Sequence, residues 1–184
     1  MLYRILAILF ASFFISGSSP IYSPPIAIDV FKNKAPKRVL AWEMTPSVVI
    51  CDYAPIDKQK VVDAIGWWKN LGYSFYGPYT DDYHKQKCFK NRPIGYILIM
   101  LVDGGSYNHS SLATTNIYSD KDSNEILWSV IMLKYGLVKE RVMEHEFGHS
   151  IGWMHTSKRG NMMNRTLEHG GWDSEGLANP NRSN

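Results

Sequence analysis

One run of eleven residues limits what this chain can fold into more than any other: His145-Glu146-Phe147-Gly148-His149-Ser150-Ile151-Gly152-Trp153-Met154-His155. It reads H-E-x-x-H-x-x-G-x-x-H. Four residues of α-helix advance about 400°, so His145 and His149 lie about 40° apart and one turn along the same face. Two imidazoles so placed can share one tetrahedral zinc ion. Glu146 falls about 100° round from His145, within reach of a water on the ion without having to ligate it. A third ligand on the same helix would have to fall near residue 152 or 153, and none does. Gly152 instead tolerates positive φ, where the chain can turn out of the helix and bring His155 back to the ion. Three neutral nitrogens leave the fourth position for water, the arrangement of a catalytic rather than a structural zinc. Zinc lowers the pKa of that water towards ~7, and Glu146 can take its proton as a polarised carbonyl is attacked. The competing reading is a helix whose histidines are satisfied within the core.

These residues resemble the metzincin zinc proteases, and so does the chain just after them. Metzincins carry a methionine in a tight turn under the zinc. Here Thr156-Ser157-Lys158-Arg159-Gly160-Asn161-Met162-Met163-Asn164 follows His155 and is similar, without a gap, to the matrixin form H-S-S-x-x-G-x-L-M-Y. The resemblance is specific over residues 145–164 and general in layout upstream. It implies an α+β zincin fold with a twisted, mostly parallel five-stranded sheet, two main helices and a short C-terminal subdomain. It implies one catalytic zinc held by His145, His149 and His155, with Glu146 as general base and Met163 as structural support in the turn. The implied activity is that of a secreted zinc-dependent metalloendopeptidase acting on a peptide or protein substrate. Astacin- and serralysin-like relatives place a zinc-coordinating tyrosine two residues after the turn methionine; Arg165 stands there, so no tyrosine switch is expected. The histidines of the matrixin structural zinc and the cysteine motif of the matrixin propeptide have no counterpart.

The first 18 residues read as an export signal: Arg4, an apolar run from Ile5 to Ile15, then Ser16-Gly17-Ser18 as a small-residue cleavage site. An uncleaved anchor is the alternative. Residues 19–37 form a proline-rich leader, with an added edge strand expected at residues 26–31. Residues 38–184 are left for the catalytic domain, its upper part ending near residue 152 and its lower part running from 153. Hydrophobic residues at 45% and charged residues at 20% suit one ordinary globular domain. A net charge of +3 gives no argument for nucleic acid or for an acidic membrane. The expectation is a secreted monomer, periplasmic if the source is a Gram-negative bacterium, with no stable membrane association after signal removal.

Along the domain, residues 48–53 read as a first core strand. Asp57 offers an N-cap to a helix with Val61, Ala64, Ile65, Trp68 and Leu71 at helical spacing, stopped by Asn70 and Gly72. The aromatic pair Trp67-Trp68 reads as core and rim, with a ligand platform as the alternative. Turns are expected at Gly77-Pro78 and Asp81-Asp82. Cys51 and Cys88 most simply form a disulfide in an exported protein, worth roughly 4 kcal/mol in the chain-entropy model. A Cys51 thiolate capping the zinc is the alternative. His84 and His109 lie in polar stretches and read as solvated.

Residues 95–102 are apolar enough for a strand buried on both faces. Residues 112–118 make a shorter, more polar strand. In metzincins the strand at this place is the sheet edge, where substrate pairs antiparallel; an ordinary surface strand is the alternative. Asp120-Lys121-Asp122-Ser123-Asn124 has the start of a calcium-loop spacing but lacks the glycine and terminal glutamate, so it reads as a solvated turn, with a calcium ion there as the alternative. Ile126–Leu133 is a last strand. The active-site helix is expected from about Leu137, with Met143, Phe147 and Ile151 facing the core and Lys139, Glu140, Arg141 and Glu144 near water. A turn or two of helix is expected around residues 172–177, and the pocket wall at 164–172. His169 reads as a loop residue. Asn108, Asn164 and Asn181 begin glycosylation sequons, with Asn164 too near the methionine turn to serve. Two other functions fit the same residues: a zinc-binding interaction module without turnover, and a hydrolase of small or cell-wall peptides.

Overall fold

Strands and helices follow one another as β1 (Ser47–Ile50), α1 (Lys58–Asn70), β2 (Tyr76–Tyr79), α2 (Asp82–Lys85), β3 (Tyr96–Leu101), β4 (Ala113–Ser119), β5 (Ile126–Leu133) and α3 (Val142–Ser150). A 3-10 turn at Gln86–Phe89 continues α2. This computed structural model describes residues 35–102, 112–136, 139–166, 169 and 171–181, all within the unit that spans Phe31–Asn184. The expected signal peptide, the edge strand at residues 26–31, Asn108 and His109 lie outside the described residues.

The sheet runs β2-β1-β3-β5-β4. All neighbours are parallel except β4, which is antiparallel to β5. β3 takes the middle because it is apolar on both faces: Ile97 and Ile99 point one way, Leu98 the other, and all three are buried. β4 takes the edge with a polar alternation that leaves Asn116 and Tyr118 exposed. Its outer side pairs with no other strand among the described residues. The stretch from Asp120 to Glu125 is the turn between β4 and β5, with Asp120 Oδ1 accepting from the Asp122 N–H and Asn124 at φ 58°.

Both main helices cover one face of the sheet and share one core. Asp57 caps α1 by accepting from the Gln59 N–H at 2.6 Å, and Val61, Ala64, Ile65 and Trp68 are its buried stripe. Leu71 and Gly72, the latter at φ 90°, close the helix. From α3, Met143 and Phe147 join Ile151, just past the helix end, against Ile97, Ile99, Ile131 and Leu133 of the sheet. Trp68 donates its indole N–H to the Glu144 carbonyl at 2.8 Å and so ties α1 to α3. Trp67 packs edge-on beside Trp68, at the rim. On the opposite face a smaller cluster gathers Val49, Cys51 and Leu98. No helix among the described residues is long and apolar enough to cross a membrane.

Four boundaries differ from the sequence reading. β1 stops at Ile50, and Tyr53 is 82% exposed at φ 61°, because the chain must turn there to enter α1. Gly77-Pro78, expected as a turn, lies inside β2 and supplies the fifth strand; a sheet edge tolerates a proline that cannot donate to a ladder. α3 begins at Val142 rather than near Leu137, because Arg141 is left-handed at φ 71° and cannot continue a helix backwards. Lys139, Glu140 and Arg141 therefore precede the helix, and Glu144 is only 8% exposed instead of facing water. Finally, the described residues beyond Trp153 contain no helix. They are linked by the isolated bridges Thr156↔Asn164 and Asn161↔Asp173.

Candidate metal centre

α3 holds His145 and His149 one turn apart, and the chain then leaves the helix at Gly152, φ 95°. A Cβ at Gly152 would lie 2.0 Å from the Leu40 carbonyl oxygen, so the turn requires glycine twice over, for its φ and for its missing side chain. The segment before β1 straps this turn in place. Val39 N–H bonds the Gly152 carbonyl, Arg38 Nε bonds the Ile151 carbonyl, Met154 N–H bonds the Lys37 carbonyl, and Trp42 Nε1 bonds the Ser150 carbonyl. The result brings His155 back towards α3.

The three Nε2 atoms form an equilateral triangle: His145 to His149, His145 to His155 and His149 to His155 are each 3.1 Å. For two of the rings the tautomer follows from their other nitrogen. His145 Nδ1 lies 2.8 Å from the Met162 carbonyl and His149 Nδ1 lies 2.8 Å from the Trp153 carbonyl. A carbonyl only accepts, so both Nδ1 atoms carry the proton and both Nε2 atoms present lone pairs. Lone pairs facing each other at 3.1 Å repel, and a cation among them converts the repulsion into coordination. Nitrogens this close together could all reach one ion at the usual Zn–N distance of about 2.0–2.1 Å. The donor set fits a zinc ion. It is the only group of three or more His, Cys, Asp or Glu side chains placed to hold a metal among the described residues.

Burial shapes the electrostatics. The His149 imidazolium is disfavoured by desolvation and by its two histidine neighbours, which pull its pKa down to about 3. Desolvation, then His145 and Arg165, lower His155 to about 4. Desolvation also lowers His145, against the opposing bond to Met162. Near neutral pH all three rings are neutral and ready to ligate. Glu146 is 7% exposed, and desolvation raises its pKa to about 7. Thr115 Oγ1 opposes that shift by bonding Glu146 Oε2 at 2.6 Å.

Met163 is wholly buried against α3. Its Sδ lies where a side chain on Gly148 would stand, 2.2 Å from an added Cβ. The turn is held by the Met163 N–H on Asn161 Oδ1 and the Thr156 N–H on the Met163 carbonyl. It also presents the Met162 carbonyl to His145.

Other candidates lie elsewhere. Cys51 and Cys88 form a disulfide, so no thiolate is left to cap a metal. His84 is paired with Asp81 and stacked on Tyr79, not simply solvated. His169 and Arg165 are exposed, and Asn164 is buried with its Nδ2 bonded to the Lys158 carbonyl, which removes it as a glycosylation site. Sequence reasoning missed Thr115 and the Met162 and Trp153 carbonyls. The threonine was legible only as one polar residue of an edge strand, and backbone acceptors leave no mark in a sequence.

No family model matches the chain, and neither does any curated protein. The fold and site stand by themselves: an α+β chain with a mostly parallel five-stranded sheet and three histidines within metal-binding distance. That combination is compatible with a zincin-like fold.

Proposed function

We propose that this protein is an exported zinc-dependent metalloendopeptidase of the metzincin type, matrixin-like in its methionine turn. The observation that carries the reading is the triangle of Nε2 atoms at 3.1 Å, with two of the rings committed by their Nδ1 bonds to present lone pairs. When bound, zinc supplies Lewis acidity towards a carbonyl and a water of lowered pKa. His145, His149 and His155 hold it. Glu146 accepts the proton of the attacking water and passes it to the leaving amine. β4, antiparallel to β5 at the sheet edge and paired with no strand on its outer side among the described residues, is where an extended peptide would add to the sheet. Met163 supports the histidines from behind and takes no part in the chemistry.

Glu146 favours turnover over a purely binding role, because holding a metal requires only the histidines. The Cys51–Cys88 disulfide supports an oxidising compartment, secreted or periplasmic. The deciding experiment is cleavage of a diverse peptide library by the purified protein and by Glu146→Ala, with metal content measured on both. Expected are about one zinc in each and a loss of roughly 10³-fold in rate for the variant. Zinc in both and cleavage by neither would favour a binding module; no metal in either would overturn the reading.

A further inference from the structure

Glu146 is a buried carboxylate on α3, and its side-chain partner comes from the sheet edge. Thr115 lies in the middle of β4, opposite Ile131 of β5. Its Oγ1 lies 2.6 Å from Glu146 Oε2 and 3.2 Å from the Glu146 carbonyl oxygen. A hydroxyl has one proton to give, and the shorter contact falls in the range of a charge-assisted O–H···O⁻ bond. The donation therefore goes to Oε2. That leaves Oε1 as the oxygen free to exchange a proton with a reacting water.

We propose that Thr115 is a positioning residue for Glu146, fixing the carboxylate so that one oxygen is held by the edge strand and the other faces the reaction. Thr115 touches no reacting atom. It acts by joining the strand that registers a bound peptide to the base that acts on it. This inference rests on the peptidase reading above.

Thr115→Val keeps the shape and strand preference of the side chain and removes only the hydroxyl; Thr115→Ser keeps the hydroxyl and removes the methyl. For Thr115→Val the expected result is a kcat lowered about 10- to 100-fold, as for other partners that orient a site group. KM, zinc content and Tm stay unchanged, and Thr115→Ser restores most of the rate. The proposal is overturned if Thr115→Val turns over like the wild type, or if Thr115→Ser falls as far as Thr115→Val. It is equally overturned if zinc content and Tm fall together with kcat, which would make the residue merely structural. Crystal structures of the zinc-loaded wild type and Thr115→Val give a second readout. A displaced Glu146 carboxylate in the variant supports the proposal; an unmoved one, or a wild type lacking the bond, overturns it. Should the wild type bind zinc and cut no peptide, the peptidase reading fails, and the two structures alone decide the role of Thr115.

Discussion

Gly148 and Gly152 show how two glycines only four positions apart in the chain can be required for different reasons. At Gly148 the obstacle to a methyl group is the thioether of Met163, 2.2 Å from the added Cβ, with Trp68 at 2.7 Å. A thioether chain can swing aside, so Gly148→Ala should destabilise by about 1–3 kcal/mol, the usual range for overpacking. Combined with Met163→Ala, the change should cost clearly less than the sum of the two single variants, because the second removes the atom the first strikes. Urea melts of the three variants measure this; strict additivity would mean that Met163 does not buttress α3. At Gly152 the obstacle is backbone, the Leu40 carbonyl oxygen at 2.0 Å, and φ is 95°. Backbone cannot swing aside. Gly152→Ala should therefore lower Tm more than Gly148→Ala and should weaken zinc binding, since His155 reaches the triad through this turn. Equal Tm losses with intact zinc affinity would contradict that account.

Among the elements, the sheet has two faces with separate tasks. The helix face carries the main core and the histidines, while Cys51 and Cys88 belong to the cluster on the other face. Replacing both cysteines by alanine should lower stability by roughly 4 kcal/mol at most, the chain-entropy limit for a loop of this size, yet leave zinc affinity unchanged. Thermal melts with zinc titration test it, and a parallel loss of affinity would show that the faces are not independent. The same division explains what the sequence made legible. α1 could be read because Asp57 caps it and four buried residues repeat at 3.6-residue spacing, both local signals. β3 and β5 could be read from their apolar runs. β2 could not, because Gly77 and Pro78 spell a turn by every local rule and only pairing with β1 makes them a strand. The start of α3 was misread because Lys139, Glu140 and Arg141 are good helix formers, and only the left-handed Arg141 shows that the helix begins after them. That His145, His149 and His155 come together was legible from their spacing. Thr115 was not, since its meeting with Glu146 depends on the register of β4 against β5.

At the scale of the molecule, the candidate metal centre joins parts of very unequal secondary structure. His145 and His149 stand on a helix packed into the main core, whereas His155 stands on the segment after Trp153, whose described residues form neither helix nor strand. Towards its end that segment is anchored separately: Leu177 is fully buried, and the Asn179 N–H bonds the Leu71 carbonyl at the close of α1. Lys158 makes ion pairs with Asp173 and Glu175, but these are partly exposed and each worth little. Between Trp153 and Asn164 the chain is tied to α3 and the sheet by contacts that include the Met154 N–H on the Lys37 carbonyl, the buried Trp153, Met162 and Met163, and the carbonyl bonds to two histidine rings, to which an ion shared with His155 would add. A metal at 1,000 times its dissociation constant would add about 4 kcal/mol to the folded state. Because the sheet closes without it, most of that stabilisation should appear locally. Removing zinc with a chelator should raise amide hydrogen exchange at Thr156 and Met163, whose N–H groups bond within this turn, and at Met162, whose N–H bonds the Asp173 carbonyl. The N–H of Cys51, bonded to Ile99 across the sheet, should keep its protection. Exchange rising equally at both places would mean that the ion holds the whole fold together, as in a structural zinc site, and would count against an open site poised for chemistry.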